Sequence, residues 1–150
     1  NQPVAEQAWR ALNRPLPRLR LGRSLCGRAS ACIDVSDGLC ADLGHILAAS
    51  RLGAELWLDR LPQPPAMQAL DCEQRWNLQL GGGDDYELCF TLPPTLQELL
   101  PSMAADGGVA LSVIGRLTSE PGLRMVRPDG AAFVPRRSGF NHFPDAQDAP

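Results

Sequence analysis

The sequence predicts an α/β (α+β) domain in which helices pack on a mixed sheet. Three observations lead there. A short apolar run, 31–35, is followed directly by a stretch in which Leu39, Leu43, Ile46 and Leu47 recur at helical spacing. Later segments alternate apolar and polar residues at the period of a strand, with helical stretches between them. Neither a repeat nor a linker-like segment divides the 150 residues, so one folding unit with its own core is expected.

The elements follow in order. Val4, Ala8, Ala11 and Leu12 share one stripe of a first helix over 3–13, which Pro15 and Pro17 end. A second, short helix runs over 19–25 and closes at Gly27. The run 31–35 is a buried strand, and Ser36 stands at the N-cap of the helix that extends to about residue 50. Gly53 restarts the chain as a strand over 54–59, and 61–65 is a proline-rich turn. An interrupted helix occupies 66–80, and three glycines, Gly81 to Gly83, precede a strand over 86–91. Pro93-Pro94 lead into a helix whose Thr95-x-x-Glu98 has capping-box spacing. Gly107-Gly108 stop it, and Val109, Leu111 and Val113 alternate as a strand. Arg127-Pro128-Asp129-Gly130 reads as a tight turn joining strands over 122–127 and 131–135. The tail, 145–150, is polar and proline-containing and is expected to be disordered.

Composition excludes several classes. A formal charge of −3 supplies no basic footprint for nucleic acid. No apolar run approaches the roughly 20 residues that span a bilayer. Residues 1–20 lack the continuous apolar segment of a signal peptide. Cys26, Cys32, Cys40, Cys72 and Cys89 are odd in number and show no CxxC spacing, so neither a disulfide framework nor a zinc site is indicated. Buried thiols in a reducing cytosol are the expectation. The chain begins with Asn1 rather than Met, which suggests an excised domain.

Two clusters carry chemistry. Asp34-Val35-Ser36-Asp37-Gly38 sits between the strand and the amphipathic helix, where two carboxylates and a hydroxyl present oxygens together. Such a donor set suits Mg²⁺, which takes one or two carboxylates and completes its shell with water and phosphate oxygens. The helix start adds N–H groups that favour anions. The alternative is that Ser36 or Asp37 only caps the helix while Asp34 ends its strand in solvent, and local pattern leaves both readings open. An EF-hand is excluded, because the glycine falls one position early and His45 replaces the closing glutamate. The second cluster is Gly81-Gly82-Gly83-Asp84-Asp85-Tyr86-Glu87-Leu88. It is no Walker loop, lacking the Gly-Lys-Ser/Thr ending, and no Rossmann fingerprint, because its glycines lead into a strand. Alone, it reads as a solvated turn presenting carboxylates. His45 and His142 lie outside any triad-like context. Trp9, Trp57 and Trp76 suggest core or interface packing, and Arg18, Arg20 and Arg23 a solvated basic face.

Together the clusters carry a resemblance. Asp34-Val35-Ser36-Asp37-Gly38-Leu39, with Asp42-Leu43 following, resembles the D-[IV]-S-D-G-L-x-x-D-L motif of thiamine-monophosphate kinases. Gly82-Gly83-Asp84-Asp85-Tyr86-Glu87-Leu88, continuing into Cys89-Phe90-Thr91, resembles their G-G-E-D-Y-E-L-x-F-T motif. Ile114-Gly115 and Ser138-Gly139-Phe140-Asn141-His142-Phe143 are similar to two later family signatures, in the same order along residues 3–144.

The resemblance implies the fold of a superfamily that includes aminoimidazole ribonucleotide synthetase and selenophosphate synthetase. Residues 1–144 would form its C-terminal module, three-layer α/β/α and partly ferredoxin-like. The N-terminal nucleotide-binding and dimerisation domain would lie outside this chain, with the homodimer formed through it. The implied reaction is ATP- and Mg²⁺-dependent phosphorylation of thiamine monophosphate to thiamine diphosphate in the cytoplasm. Asp34 and Asp37 would bind magnesium, and Ser36 the nucleotide phosphates. Asp84, where a glutamate is usual, and Phe140 would contact substrate. The alternatives are another ATP-dependent enzyme of the superfamily, or a non-catalytic ligand-binding module in isolation.

Overall fold

The computed structural model describes residues 2–137 and Gly139. Phe140, the closing motif apart from Gly139, and the tail 145–150 lie outside them. The chain opens with helices α1 (Gln2–Asn13) and α2 (Leu19–Leu25). Strand β1 (Ala31–Asp34) then leads to helix α3 (Leu39–Ser50), strand β2 (Gly53–Trp57) and helix α4 (Cys72–Gly81). Strand β3 (Leu88–Thr91) and helix α5 (Leu100–Gly107) precede strands β4 (Gly115–Thr118), β5 (Gly122–Val126) and β6 (Ala132–Phe133).

The strands divide into two sheets. β1 and β3 form an antiparallel ribbon, and the other four run in the order β4-β2-β5-β6. The second sheet is mixed: β2 is antiparallel to β4 and parallel to β5, and β6 is antiparallel to β5. Alternation along β1 and β3 gives the ribbon two apolar faces. Ile33 and Cys89 face a core containing Leu43, Ile46 and Leu47 of α3, Trp76 and Leu80 of α4, and Leu56, Met125 and Phe133. Leu88 and Phe90 face a second core built on Leu21, Leu25 and Met103. Helices α2 and α5, the ribbon, and helices α3 and α4 therefore stack as α/β/α. The four-stranded sheet closes the far side of α3, which is packed between the sheets.

Local chemistry explains the boundaries. The side chain of Asp71 accepts the backbone N–H of Gln74 at 2.8 Å and starts α4 after a separate 3₁₀ turn, Pro65–Met67. Trp76 is buried, donates its indole N–H to the Leu58 carbonyl at 3.1 Å, and meets the Phe133 ring edge-on at 5.5 Å. At the turn after β5, the N–H of Gly130 donates to the carbonyl of Arg127 at 2.9 Å.

Several expectations need correction. No strand forms over 109–113, because Val109 and Leu111 turn toward the second core and have no neighbouring strand. Thr95 caps no helix; it lies inside a 3₁₀ turn, Pro94–Leu99, that Pro94 has already begun. β2 stops at Trp57, and Leu58, fully buried, opens a 3₁₀ turn. Trp9 is 62% exposed and belongs to neither core. The five thiols are free, but only Cys40 is buried and Cys89 half-buried; Cys26, Cys32 and Cys72 are exposed. Burial pushes the Cys40 and Cys89 thiols up to about 11. No helix among the described residues is long and apolar enough to cross a membrane.

Candidate functional site

The two acidic clusters, remote in sequence, meet where the β1–β3 ribbon ends. Pairing continues past the strands: Val35 N–H donates to the Glu87 carbonyl at 2.8 Å, and Tyr86 N–H to the Val35 carbonyl at 2.8 Å. Asp84 N–H then donates to the Ser36 carbonyl at 2.9 Å. To hold this register, Asp84 and Tyr86 adopt φ values of 63° and 52°, which side chains with a Cβ seldom take. Gly83 is required by contact. A Cβ there would lie 2.5 Å from the Ser36 carbonyl oxygen.

Between the clusters lies an open cleft of about 450 Å³. Ser36 and Asp37 line it from the corner, Gly83, Asp84 and Tyr86 from the glycine-rich loop, and Arg137 from the segment after β6. The structure thus brings Ser36, Asp37 and Asp84 together. Asp34 is exposed at the end of β1, on the ribbon face opposite Ile33, and is not part of the cleft wall. It stands near enough for its charge, like that of Asp37, to act on the Tyr86 phenol. Phe140 lies outside the described residues.

The electrostatics are acidic. The Tyr86 hydroxyl donates to Asp84 at 3.2 Å, and that bond, then the Asp84 charge, raises the phenol's pKa. The Asp85 carboxyl is also raised, first by desolvation and then by the charges of Glu87 and Asp84. Glu87 itself accepts both arms of the Arg18 guanidinium, Nε donating at 2.8 Å and the second bond shorter. Arg18 therefore ties the start of α2 to the loop, where a solvated face was expected.

Ser36 does not cap α3. The N-cap is Gly38, at φ 118°, with no side-chain cap bond. Instead Asp42, 3% exposed, reaches back, and its Oδ2 accepts the backbone N–H groups of Ser36, Asp37 and Gly38 at 3.0, 3.1 and 3.2 Å. These turn amides are occupied and are not available to an anion. The sequence did carry a sign of this. Asp42 lies on the stripe of Leu39, Leu43 and Ile46, and a charge on a buried face must find partners. Tyr86, Arg137 and Arg18 carried no comparable sign, since nothing local connects them to the corner.

Among the described residues no three His, Cys, Asp or Glu side chains converge as a metal site. The oxygen donors present fit an ion that takes one or two protein carboxylates and completes its shell from ligand and water. They do not fit a closed zinc site, which needs four ligands rich in nitrogen and sulfur.

The family described as AIR synthase related protein, C-terminal domain, matches residues 11–127, and the chain belongs to it. Within that family it is similar to the thiamine-monophosphate kinase of Salmonella typhimurium, 42% identical over 132 residues, covering 87% of this chain and 40% of that protein. Among solved structures it is similar to the thiamine-monophosphate kinase of Stenotrophomonas maltophilia, with a TM-score of 0.78, 40% identity, and coverage of 87% and 40% of the two chains. It is also similar to AaThiL complexed with AMPPCP and TMP, with a TM-score of 0.74, 27% identity, and coverage of 94% and 42%. The chain therefore spans about two fifths of the length of these relatives.

Proposed function

We propose that this domain serves a thiamine-monophosphate kinase of its relatives' length, which transfers the γ-phosphoryl group of ATP to the phosphate of thiamine monophosphate. The observation that carries the reading is the joining of the two clusters. Backbone bonds align Ser36 and Asp37 with Asp84 across one cleft, in a chain 42% identical to an enzyme of that name. A relative complexed with AMPPCP and TMP supports ATP and thiamine monophosphate as the pair.

The attacking group is a phosphate oxygen, already ionised at neutral pH, so no strong general base is needed. Repulsion between two polyanions is the obstacle, and the cleft's own carboxylates would add to it. Asp37, with Asp34, would hold Mg²⁺; when bound, that ion neutralises phosphate charge and keeps the reacting groups in line. The Ser36 hydroxyl, on the cleft wall, would donate to a phosphate oxygen. Arg137 brings a positive charge to the same wall. Asp84 would face thiamine monophosphate, and Phe140 would pack on its ring. The homodimer and the remaining nucleotide contacts are proposed for the part of the relatives' length that this chain does not span, and the cytoplasm as the place of action.

The test is a coupled assay of the full-length protein with ATP, thiamine monophosphate and titrated Mg²⁺. Asp37→Asn should shift the magnesium requirement upward, and Asp84→Ala should raise the KM for thiamine monophosphate while leaving that for ATP nearly unchanged. Absence of thiamine diphosphate formation by the parent protein would overturn the reading.

A further inference from the structure

We infer that Asp42 is the positioning residue of the phosphate-and-magnesium corner, an inference that rests on the reading of Asp37 and Ser36 given above. In an ordinary helix start, the serine or aspartate before the first turn spends its side chain on the helix's own N–H groups. Here that arrangement is inverted. The turn's amides are taken by a carboxylate one turn into α3, and Ser36 and Asp37 line the cleft instead. Three donors meeting one charged oxygen fix the peptide planes of Ser36, Asp37 and Gly38 together. Those planes set the direction of the Ser36 and Asp37 side chains.

Burial sharpens the point. Asp42 is 3% exposed and, among the described residues, the only charged one that is buried, so its charge is held by these N–H groups rather than by water. Its neighbours Leu43, Ile46 and Leu47 are packed in the main core, which anchors α3 under the corner. The opposite side of the corner is held by the Asp84 N–H on the Ser36 carbonyl. The Ser36–Gly38 turn is thus clamped between a helix and a loop, with Asp42 supplying the helix side. A ligand cation meeting Asp37 finds it already oriented.

The experiment compares three variants of the full-length protein, reading the Mg²⁺ concentration for half-maximal rate, kcat, both KM values and Tm. Asp42→Asn keeps size and one acceptor oxygen but loses the charge. It should raise the magnesium requirement by about tenfold, the scale on which groups supporting metal ligands act, with the KM for thiamine monophosphate little changed. Ile46→Val, on the same helix and in the core, should lower Tm without moving the magnesium requirement. Asp37→Asn reports on the underlying reading. If Asp37→Asn shifts the magnesium requirement and Asp42→Asn shifts it no more than Ile46→Val, Asp42 is only structural and the inference is overturned. If Asp37→Asn itself has no effect, the corner is not the metal site and the underlying reading fails first. Should Asp42→Asn not fold, Asp42→Ser, which keeps a hydroxyl acceptor at shorter reach, carries the same comparison.

Discussion

The backbone N–H of Asp84 donates to the carbonyl of Ser36 at 2.9 Å, joining a residue of the glycine-rich loop to the acidic turn before α3. It is the last rung of the β1–β3 pairing and the point where the ribbon becomes a cleft. Glycine at position 83 lets the backbones approach this closely, since a Cβ there would lie 2.5 Å from the Ser36 carbonyl oxygen.

Gly83→Ala should therefore separate loop from corner. Its Cβ would meet the Ser36 carbonyl oxygen at 2.5 Å, a backbone atom that cannot swing aside. Overpacking of this kind costs about 1–3 kcal/mol. The expected result in the full-length protein is a lower Tm together with a rise in KM for thiamine monophosphate. An unchanged Tm and full activity would show that the contact relaxes at no cost.

The Arg18–Glu87 pair links α2 to the same loop in two-armed geometry, with the arginine side chain 26% and the glutamate 52% exposed. Partial exposure limits its worth to about 0.2–1 kcal/mol. In a double-mutant cycle of Arg18→Met and Glu87→Gln, the stability losses should be non-additive by that amount, and the coupling should shrink with added salt. Strict additivity at low salt would mean that the two side chains do not engage in solution.

Asp85 supplies a pH test. Its carboxyl titrates above the ordinary aspartate range in the folded chain, first because of desolvation and then because Glu87 and Asp84 are close. The folded state thus binds this proton more tightly than the unfolded chain. Its contribution to stability is present below the unfolded pKa and is lost as pH rises through the raised folded value. Asp85→Asn should gain stability over the parent at neutral pH, and the gain should vanish in acid, below about pH 3.5. Denaturant titrations at both pH values measure the difference. Equal gain at both would assign it to the amide's hydrogen bonds instead.

Local sequence determined much of this protein. Helix α2 falls on 19–25 because its apolar spacing and the closing Gly27 are properties of adjacent residues. The amphipathic stripe of α3, the ribbon strands and the turn at 127–130 were legible for the same reason. So were the acidic clusters that hold Asp34, Ser36, Asp37 and Asp84, since composition and order in the chain are enough to find them. Tertiary structure alone decided what these residues do to one another. The strand read at 109–113 yielded to β4, because a strand needs a partner edge and Val109 and Leu111 found helices first. The Ser36 cap yielded to Asp42, because an inward-facing carboxylate and a turn crossing above it meet only once α3 is docked. Asp84 reached Ser36, and Arg18 reached Glu87, through pairing between distant segments. Register across a ribbon is set by packing on its two faces, and no window of adjacent residues contains that information.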